Sequence, residues 1–287
     1  MVREKVNSNI YFNYWGSVFY RLRENPLNLF YLVFIFIITL LAIFGPYFSP
    51  YSYQTQELFA TNQPPSLKHW FGTDALGRDL FVRVLYGARI SLLIAFVASL
   101  INLFIGVVYG VISGGKIDSI MMRIVDIIYG IPLLLYIILL MVILKPALIN
   151  IFIAMGVTYW LDMARIVRGE VLKIKEQEFV LAAKSIGCSN LRIIFRHILP
   201  NIMGPVIVTL TLNIPLAIFT EAFLSYIGLG VSAPMASWGL LAAEGTQSIR
   251  TYPHLLFFPA AVISLTMLSF NILGDGLRDA LDPLSQE

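Results

Sequence analysis

The sequence predicts an all-α fold, a polytopic membrane helix bundle with six transmembrane helices, on two observations. Of 287 residues, 58% are hydrophobic and only 13% charged, with a mean hydropathy of +0.78, whereas a soluble chain carries about 25% charged residues. The apolar residues also fall into separate blocks, each near the ~20 residues a helix needs to cross the hydrocarbon.

The blocks run over 29–48, 91–112, 121–144, 148–167, 202–226 and 255–273. The first follows a polar stretch with Arg3, Lys5, Arg21 and Arg23, and it is too long for the apolar region of a signal peptide, so it is expected to stay uncleaved. The chain then divides into an N-terminal tail (1–28), a first transmembrane helix (29–48), an extracytoplasmic segment with an amphipathic helix (49–90), a core transmembrane domain (91–273) containing a cytoplasmic loop (168–201), and a C-terminal tail (274–287). An even number of spans puts both termini on one side, and basic residues choose the side. With the N-terminus inside, fourteen of the 20 Lys and Arg are cytoplasmic, although Lys68, Arg78, Arg83 and Arg89 oppose the trend. The expected place is the plasma (inner) membrane, with both termini in the cytoplasm.

Pro132 in the third block, Pro205 and Pro215 in the fifth and Pro259 in the sixth each remove a helix hydrogen bond and predict kinks, although proline is also common in membrane helices. The one cysteine, Cys188, excludes an intramolecular disulfide. A net charge of +3 is too small to suggest a nucleic-acid partner.

The loop 168–201 is charged yet patterned, so it should be folded. Phe179, Ala182, Ala183 and Ile186 share a helical face that Gly187 terminates. Ser189 is an N-cap, and Leu191, Ile194, Phe195 and Ile198 repeat the spacing on a second short helix, with Arg192 and Arg196 opposite and Pro200 opening the next span. The apolar side of this hairpin must bury in the lipid interface, on its own bundle, or in a groove of a partner protein. Spacing leaves all three open.

Leu181-Ala182-Ala183, then Gly187, then His197-Ile198-Leu199-Pro200 resembles the EAA loop of ABC importer permeases. The glutamate that opens the family motif is Leu181 here, and the isoleucine of its closing I-x-L-P is His197; Glu178 is the nearest carboxylate. Longer segments are similar to the oligopeptide and dipeptide branch of those permeases: His69-Trp70-Phe71-Gly72-Thr73-Asp74, Gly77 to Phe81, Tyr86 to Arg89, Met122 to Asp126, Thr220 to Gly230, and Asn271 to Pro283. The resemblance implies a type I importer permease fold. It also implies that Glu178, Phe179, Leu181, Ala182, Ala183, Gly187, Leu191, Ile194, Phe195, Arg196, Leu199 and Pro200 form a coupling helix for an ATPase. Implied partners are a second, homologous permease in a heterodimer, two ATPase subunits that carry ATP and Mg, and an extracytoplasmic binding protein. Peptides are the implied cargo; nickel chelates and oligosaccharides travel through similar permeases.

Charged residues near membrane depth are costly and call for a role. Arg123 with Asp126, and Asp162 with Arg165, are spaced for local i, i+3 ion pairs. Glu221 lacks a local basic partner and is assigned to architecture; with Arg123, Asp126, Pro132 and Asp275 it forms the set of structural or gating candidates. The stretch from Gly72 to Arg89 reads as an amphipathic helix on the outer surface, with Leu80, Phe81, Val84, Leu85 and Ala88 on one face and Arg78, Asp79 and Arg83 pointing elsewhere. Together with the loop 232–254 it is a candidate docking surface, or else an interfacial helix without a partner.

Gly114-Gly115-Lys116 is not a complete phosphate-binding loop, and no metal-ligand or nucleophile motif occurs. The chain is therefore expected to be no enzyme and to bind no cofactor or metal. A secondary transporter should show internal repeats, which are not found, and it would leave the patterned loop without a purpose.

Overall fold

The computed structural model describes residues 14–281 except Lys116 and Ala233. Arg3, Lys5 and Lys116 of the charge count, and residues 282–287, lie outside the described residues. Among these the chain is helical, with one isolated β-bridge between Thr73 and Asp79. The helices are α1 (Tyr14–Glu24), α2 (Pro26–Phe48), α3 (Leu80–Ser113), α4 (Asp118–Tyr129), α5 (Leu133–Leu144), α6 (Leu148–Ile174), α7 (Glu178–Ser185), α8 (Asn190–Ile193), α9 (Leu199–Tyr226), α10 (Trp238–Thr246) and α11 (His254–Leu281).

Length and composition mark α2, α3, α8 with α9, and α11 as membrane spans, and α4 with α5 as a fifth, bent by 74°. The sixth expected block, α6, has 27 residues and so is ~40 Å long, enough to cross, but its last half carries Asp162, Arg165, Arg168, Glu170 and Lys173. The bend between α4 and α5 falls at Gly130-Ile131-Pro132. Proline disfavours the helical region for Ile131 and cannot continue the hydrogen-bond ladder, so the helix stops and restarts. Pro205, Pro215 and Pro259 instead lie inside continuous helices.

Three helices outrun their predicted ends, α6 running on from 167 to Ile174. α11 continues to Leu281, so Asp275 and Arg278 are helical. α3 begins at Leu80 and has 34 residues, which at 1.5 Å per residue is ~50 Å, well beyond the ~30 Å hydrocarbon. Its opening turns correct the outer-surface reading. Leu80, Val84, Leu85 and Ala88 are buried, and so are Arg78, Asp79 and Arg83, the last 1% exposed. Buried charges need partners. Asp74 accepts from Arg78 Nε at 2.7 Å and from Arg83, Glu244 on α10 accepts from Arg83 Nη1 at 2.7 Å, and His69 Nδ1 lies 2.8 Å from Asp79 Oδ2. Asp79 also caps α3 through the Val82 amide at 2.8 Å. We call this end of the bundle the cap end.

The interior holds two apolar clusters. The larger joins α3, α5, α6, α9, α10 and α11 around Ile94, Ile137, Met155, Ile218 and Trp238. Trp238 is fully buried, and its indole donates to the Val84 carbonyl at 3.0 Å. Along α3, Gly106, Gly110 and Gly114 present bare backbone to α6. A Cβ there would fall 2.5–2.6 Å from Met163, Val167 and Val171, the close approach that small residues at every fourth position allow between membrane helices. α2 is held to α3 at a proline. Pro46 cannot donate to the Ala42 carbonyl, and Arg89 supplies the missing hydrogen bond, its Nε donating to Ala42 at 3.1 Å and its Nη2 to Ile43 at 2.7 Å.

Candidate functional site: the hairpin between α6 and α9

α7 ends where predicted. Gly187 adopts φ +80°, a left-handed conformation that glycine enters without steric cost, and the amides of Gly187 and Cys188 donate to the carbonyls of Lys184 and Ala183 at 3.0 Å each. Ser189 caps the next turn through the Arg192 amide at 3.4 Å.

The expected second short helix is not separate. α8 passes through a π turn, Ile194–Ile198, directly into α9, and the Leu199 amide donates to the Ile194 carbonyl five residues back. Pro200 is the physical reason: its ring would collide with the Arg196 carbonyl in a regular helix, and it has no amide to donate. The wider turn makes room.

That turn also changes which side chains face inward. The spacing placed Leu191, Ile194, Phe195 and Ile198 together, but Ile193 and Ile198 are buried, Ile194 and Leu199 part-buried, and Leu191 and Phe195 exposed at 68% and 66%. On α7 the predicted face splits too. Val180 and Ala183 point inward, while Phe179, Leu181, Ala182 and Ile186 are exposed, Ile186 at 80%. Glu178, Gly187, Arg196 and Pro200 are exposed beside them.

The inward residues join Val167, Val171 and Ile174 of α6 and Ile202 and Val206 of α9 in the second apolar cluster. The hairpin is thus fixed to two long helices. Part of the predicted apolar side packs on the chain's own bundle, while its outward apolar face is not covered by any of the described residues. Next to it lies an open cavity of about 800 Å³, lined by Glu170, Lys173, Gln177, Asn201, Thr209 and Arg278 among others.

The membrane-depth charges pair differently from expectation. Asp126 accepts from Arg165 at 2.8 Å across helices, while Arg123 is exposed and has no ion pair among the described residues. Asp162 accepts from the Tyr129 hydroxyl, over whose ring Arg165 sits at 3.9 Å. Arg168 makes a two-pronged pair with Asp118. Both predicted local pairs are therefore exchanged for contacts between α4 and α6, because the two helices run side by side: the acids Asp118 and Asp126 of α4 meet Arg168 and Arg165 of α6, and Asp162 of α6 meets the Tyr129 hydroxyl. Glu221 is fully buried and accepts from Ser91 Oγ at 2.8 Å and Ser225 Oγ at 2.7 Å, tying α3 to α9. Pro132 caps α5, and Asp275 is exposed on α11.

Sequence reasoning missed the Asp74–Arg83–Glu244 network, the Arg89 bond to α2 and the buried Trp238. It also missed the close approach of α3 to α6, for which a signal was present: glycines 106, 110 and 114 spaced by four at the end of an apolar block.

A family model described as the binding-protein-dependent transport system inner membrane component matches residues 102–286, and one for the N-terminal TM domain of oligopeptide transport permease C matches residues 13–65. The chain belongs to the binding-protein-dependent transport permeases. Among such permeases it is 54% identical over 272 residues to the oligopeptide transport system permease protein OppC of Bacillus subtilis, covering 94% of this chain and 89% of that one. It is 53% identical to the dipeptide transport system permease protein DppC of the same organism, over 94% and 86%. Identity to OppC of Escherichia coli is 42%, over 94% and 91%. The permease fold is shared with a chain of the MetNI methionine ABC transporter in inward facing conformations, at a TM-score of 0.58 and 18% identity, over 71% of this chain and 98% of that one. A chain of an amino acid ABC transporter matches at a TM-score of 0.54 and 19% identity, over 68% and 92%.

Proposed function

We propose that this permease forms half of the translocation path of an ATP-driven importer for di- or oligopeptides. The observation that carries the reading is identity above 50%, over nearly the whole chain, to permeases of oligopeptide and dipeptide transport systems. A second permease completes the path as a heterodimer, an extracytoplasmic binding protein delivers the peptide, and two ATPase subunits carry the ATP and Mg chemistry. The hairpin end faces the cytoplasm and the cap end faces outward, in keeping with the bias of basic residues.

The coupling step follows from the hairpin's construction. Its exposed residues, Phe179, Leu181, Ile186, Leu191 and Phe195, fit a groove on an ATPase, as an amphipathic helix fits a partner's cleft. Val180, Ala183, Ile193 and Ile198 connect it to α6 and α9. Closure of the ATPases on ATP then moves the hairpin as a rigid element, and the two long helices follow, switching access from one side of the membrane to the other.

Uptake measured in cells tests the assignment. Deleting the gene should abolish accumulation of a labelled tripeptide while leaving labelled nickel unaffected, and the wild-type chain should restore it. Unchanged peptide uptake after deletion refutes the cargo assignment.

A further inference from the structure

The two pieces of the broken span are held in different ways. α5 is anchored by packing, with Ile137 and Met141 fully buried in the larger apolar cluster. α4 is not: of its twelve residues only Val125 is buried, and its attachments among the described residues are largely polar. Arg168 Nε donates to Asp118 at 2.8 Å, Arg165 Nη2 to Asp126 at 2.8 Å, the Tyr129 hydroxyl to Asp162, and the Tyr109 hydroxyl to the Met121 carbonyl at 2.8 Å. Arg168, Arg165 and Asp162 all belong to α6. Both ion pairs are partly open to solvent, so they set geometry while adding little stability.

Between the pieces the helical ladder is interrupted. α4 ends in two long turn bonds, from the Gly130 amide to the Ile127 carbonyl at 3.3 Å and from Ile131 to Ile128 at 3.4 Å. Pro132 has no amide to donate, and α5 restarts with the Leu135 amide on the Pro132 carbonyl at 2.9 Å. The 74° bend is thus a joint that can turn without breaking an i to i+4 bond. α6 is continuous, but its two halves have different company. Ile151 to Tyr159 pack in the larger cluster with α5, whereas Met163 to Ile174 pack in the cluster of the hairpin. Arg165 and Arg168 lie at the start of that second half.

In an ATP-driven importer, the reading proposed above and the one on which this step rests, the hairpin moves the inner half of α6. We propose that Arg165 and Arg168 are positioning residues that pass this movement to α4, which swings about Gly130-Ile131-Pro132 while α5 stays in place, opening and closing the inner end of the path. Asp118 and Asp126 are eight residues apart, ~12 Å along α4. Two points of attachment set the direction of a rod, where one sets only its position. Water-accessible polar contacts also tolerate such movement, whereas sliding a buried apolar face opens cavities.

The test uses the assembled importer in nanodiscs, freed of native cysteines, with spin labels at Ile120→Cys on α4 and Leu139→Cys on α5, both exposed. Double electron–electron resonance reads their separation with and without a non-hydrolysable ATP analogue. A second pair, Lys184→Cys on α7 with Leu139→Cys, reports whether the hairpin moves. Both pairs should shift on ATP, the first by about 5 Å, the displacement at the end of an ~18 Å arm turned through about 15°. With Arg165→Ala and Arg168→Ala together, the hairpin pair should still shift, the α4 pair should not, and peptide uptake should fall at least tenfold. Exchanging the charges, Arg165→Asp and Arg168→Asp with Asp118→Arg and Asp126→Arg, should restore the α4 shift and part of the uptake. An α4 pair that stays fixed in the wild type while the hairpin pair shifts overturns the proposal and leaves the importer reading intact, as does an α4 shift that survives loss of both arginines. If neither pair shifts in the wild type, the ATP-driven reading fails and the proposal with it.

Discussion

The two ends of this bundle treat their difficult side chains in opposite ways. At the cap end, charges that are expensive to bury are buried and paired within the chain, although Arg83 Nε and His69 Nε2 find no partner among the described residues: Asp74 serves Arg78 and Arg83, Glu244 closes over Arg83, and His69 meets Asp79. At the hairpin end, apolar residues that are costly to expose are left exposed, with Ile186, Leu191 and Phe195 all facing away from the chain. Charges paired within the chain fix a shape, whereas an apolar face left uncovered by the described residues, on a hairpin packed against two long helices, presents one.

Substitutions at the cap end should therefore damage folding. The largest loss is expected for Asp74→Ala, which leaves two buried guanidinium groups short of their counter-ion. Breaking such a pair from one side costs about 3–5 kcal/mol, so the variant should accumulate poorly in membranes and lose thermal stability in detergent. A fully stable Asp74→Ala protein would erase the contrast between the two ends.

A smaller effect sharpens the account of how α2 is attached. Arg89→Ala removes the donor to the Ala42 carbonyl and should cost about 1–2 kcal/mol, the usual cost of a hydrogen bond from a charged group together with an orphaned acceptor. Pro46→Ala restores the amide that proline lacks. In a double-mutant cycle, Pro46→Ala should recover part of the Arg89→Ala loss, and strict additivity of the two changes would show that Arg89 does not serve that carbonyl.

The smallest effect lies between α4 and α6. Arg165 and Asp126 are 37% and 60% exposed at their side chains, and such pairs contribute about 0–1 kcal/mol. Arg165→Ala should leave the thermal midpoint within a few degrees of wild type.

Much of this architecture was legible because membrane spans are written in composition: every apolar block became helical, the block 121–144 as two helices broken before Pro132, and Gly187 and Ser189 punctuate the hairpin as their chemistry dictates. What escaped was tertiary. Asp126 lies one turn from Arg123 in sequence, yet its partner Arg165 is 39 residues away, and no spacing rule reaches that far. The charges from Asp74 to Arg83 look solvent-bound until Glu244 is folded over them. The hairpin's faces were misassigned from Leu191 onward because helical spacing assumes 3.6 residues per turn, and the π turn before Pro200 adds a residue. On α7, the residues that the spacing grouped as one buried face include Phe179 and Ile186, which the fold turns outward. Periodicity finds an apolar stripe without saying whose surface will cover it.

The role proposed for the uncovered hairpin face is to carry motion between an ATPase and the spans. Its most direct measurement is ATP hydrolysis and peptide uptake side by side in proteoliposomes containing the assembled importer with Phe195→Asp. The expected variant folds and inserts normally, with peptide uptake at least tenfold lower and hydrolysis no longer stimulated by the loaded binding protein. Wild-type uptake with stimulated hydrolysis would contradict it.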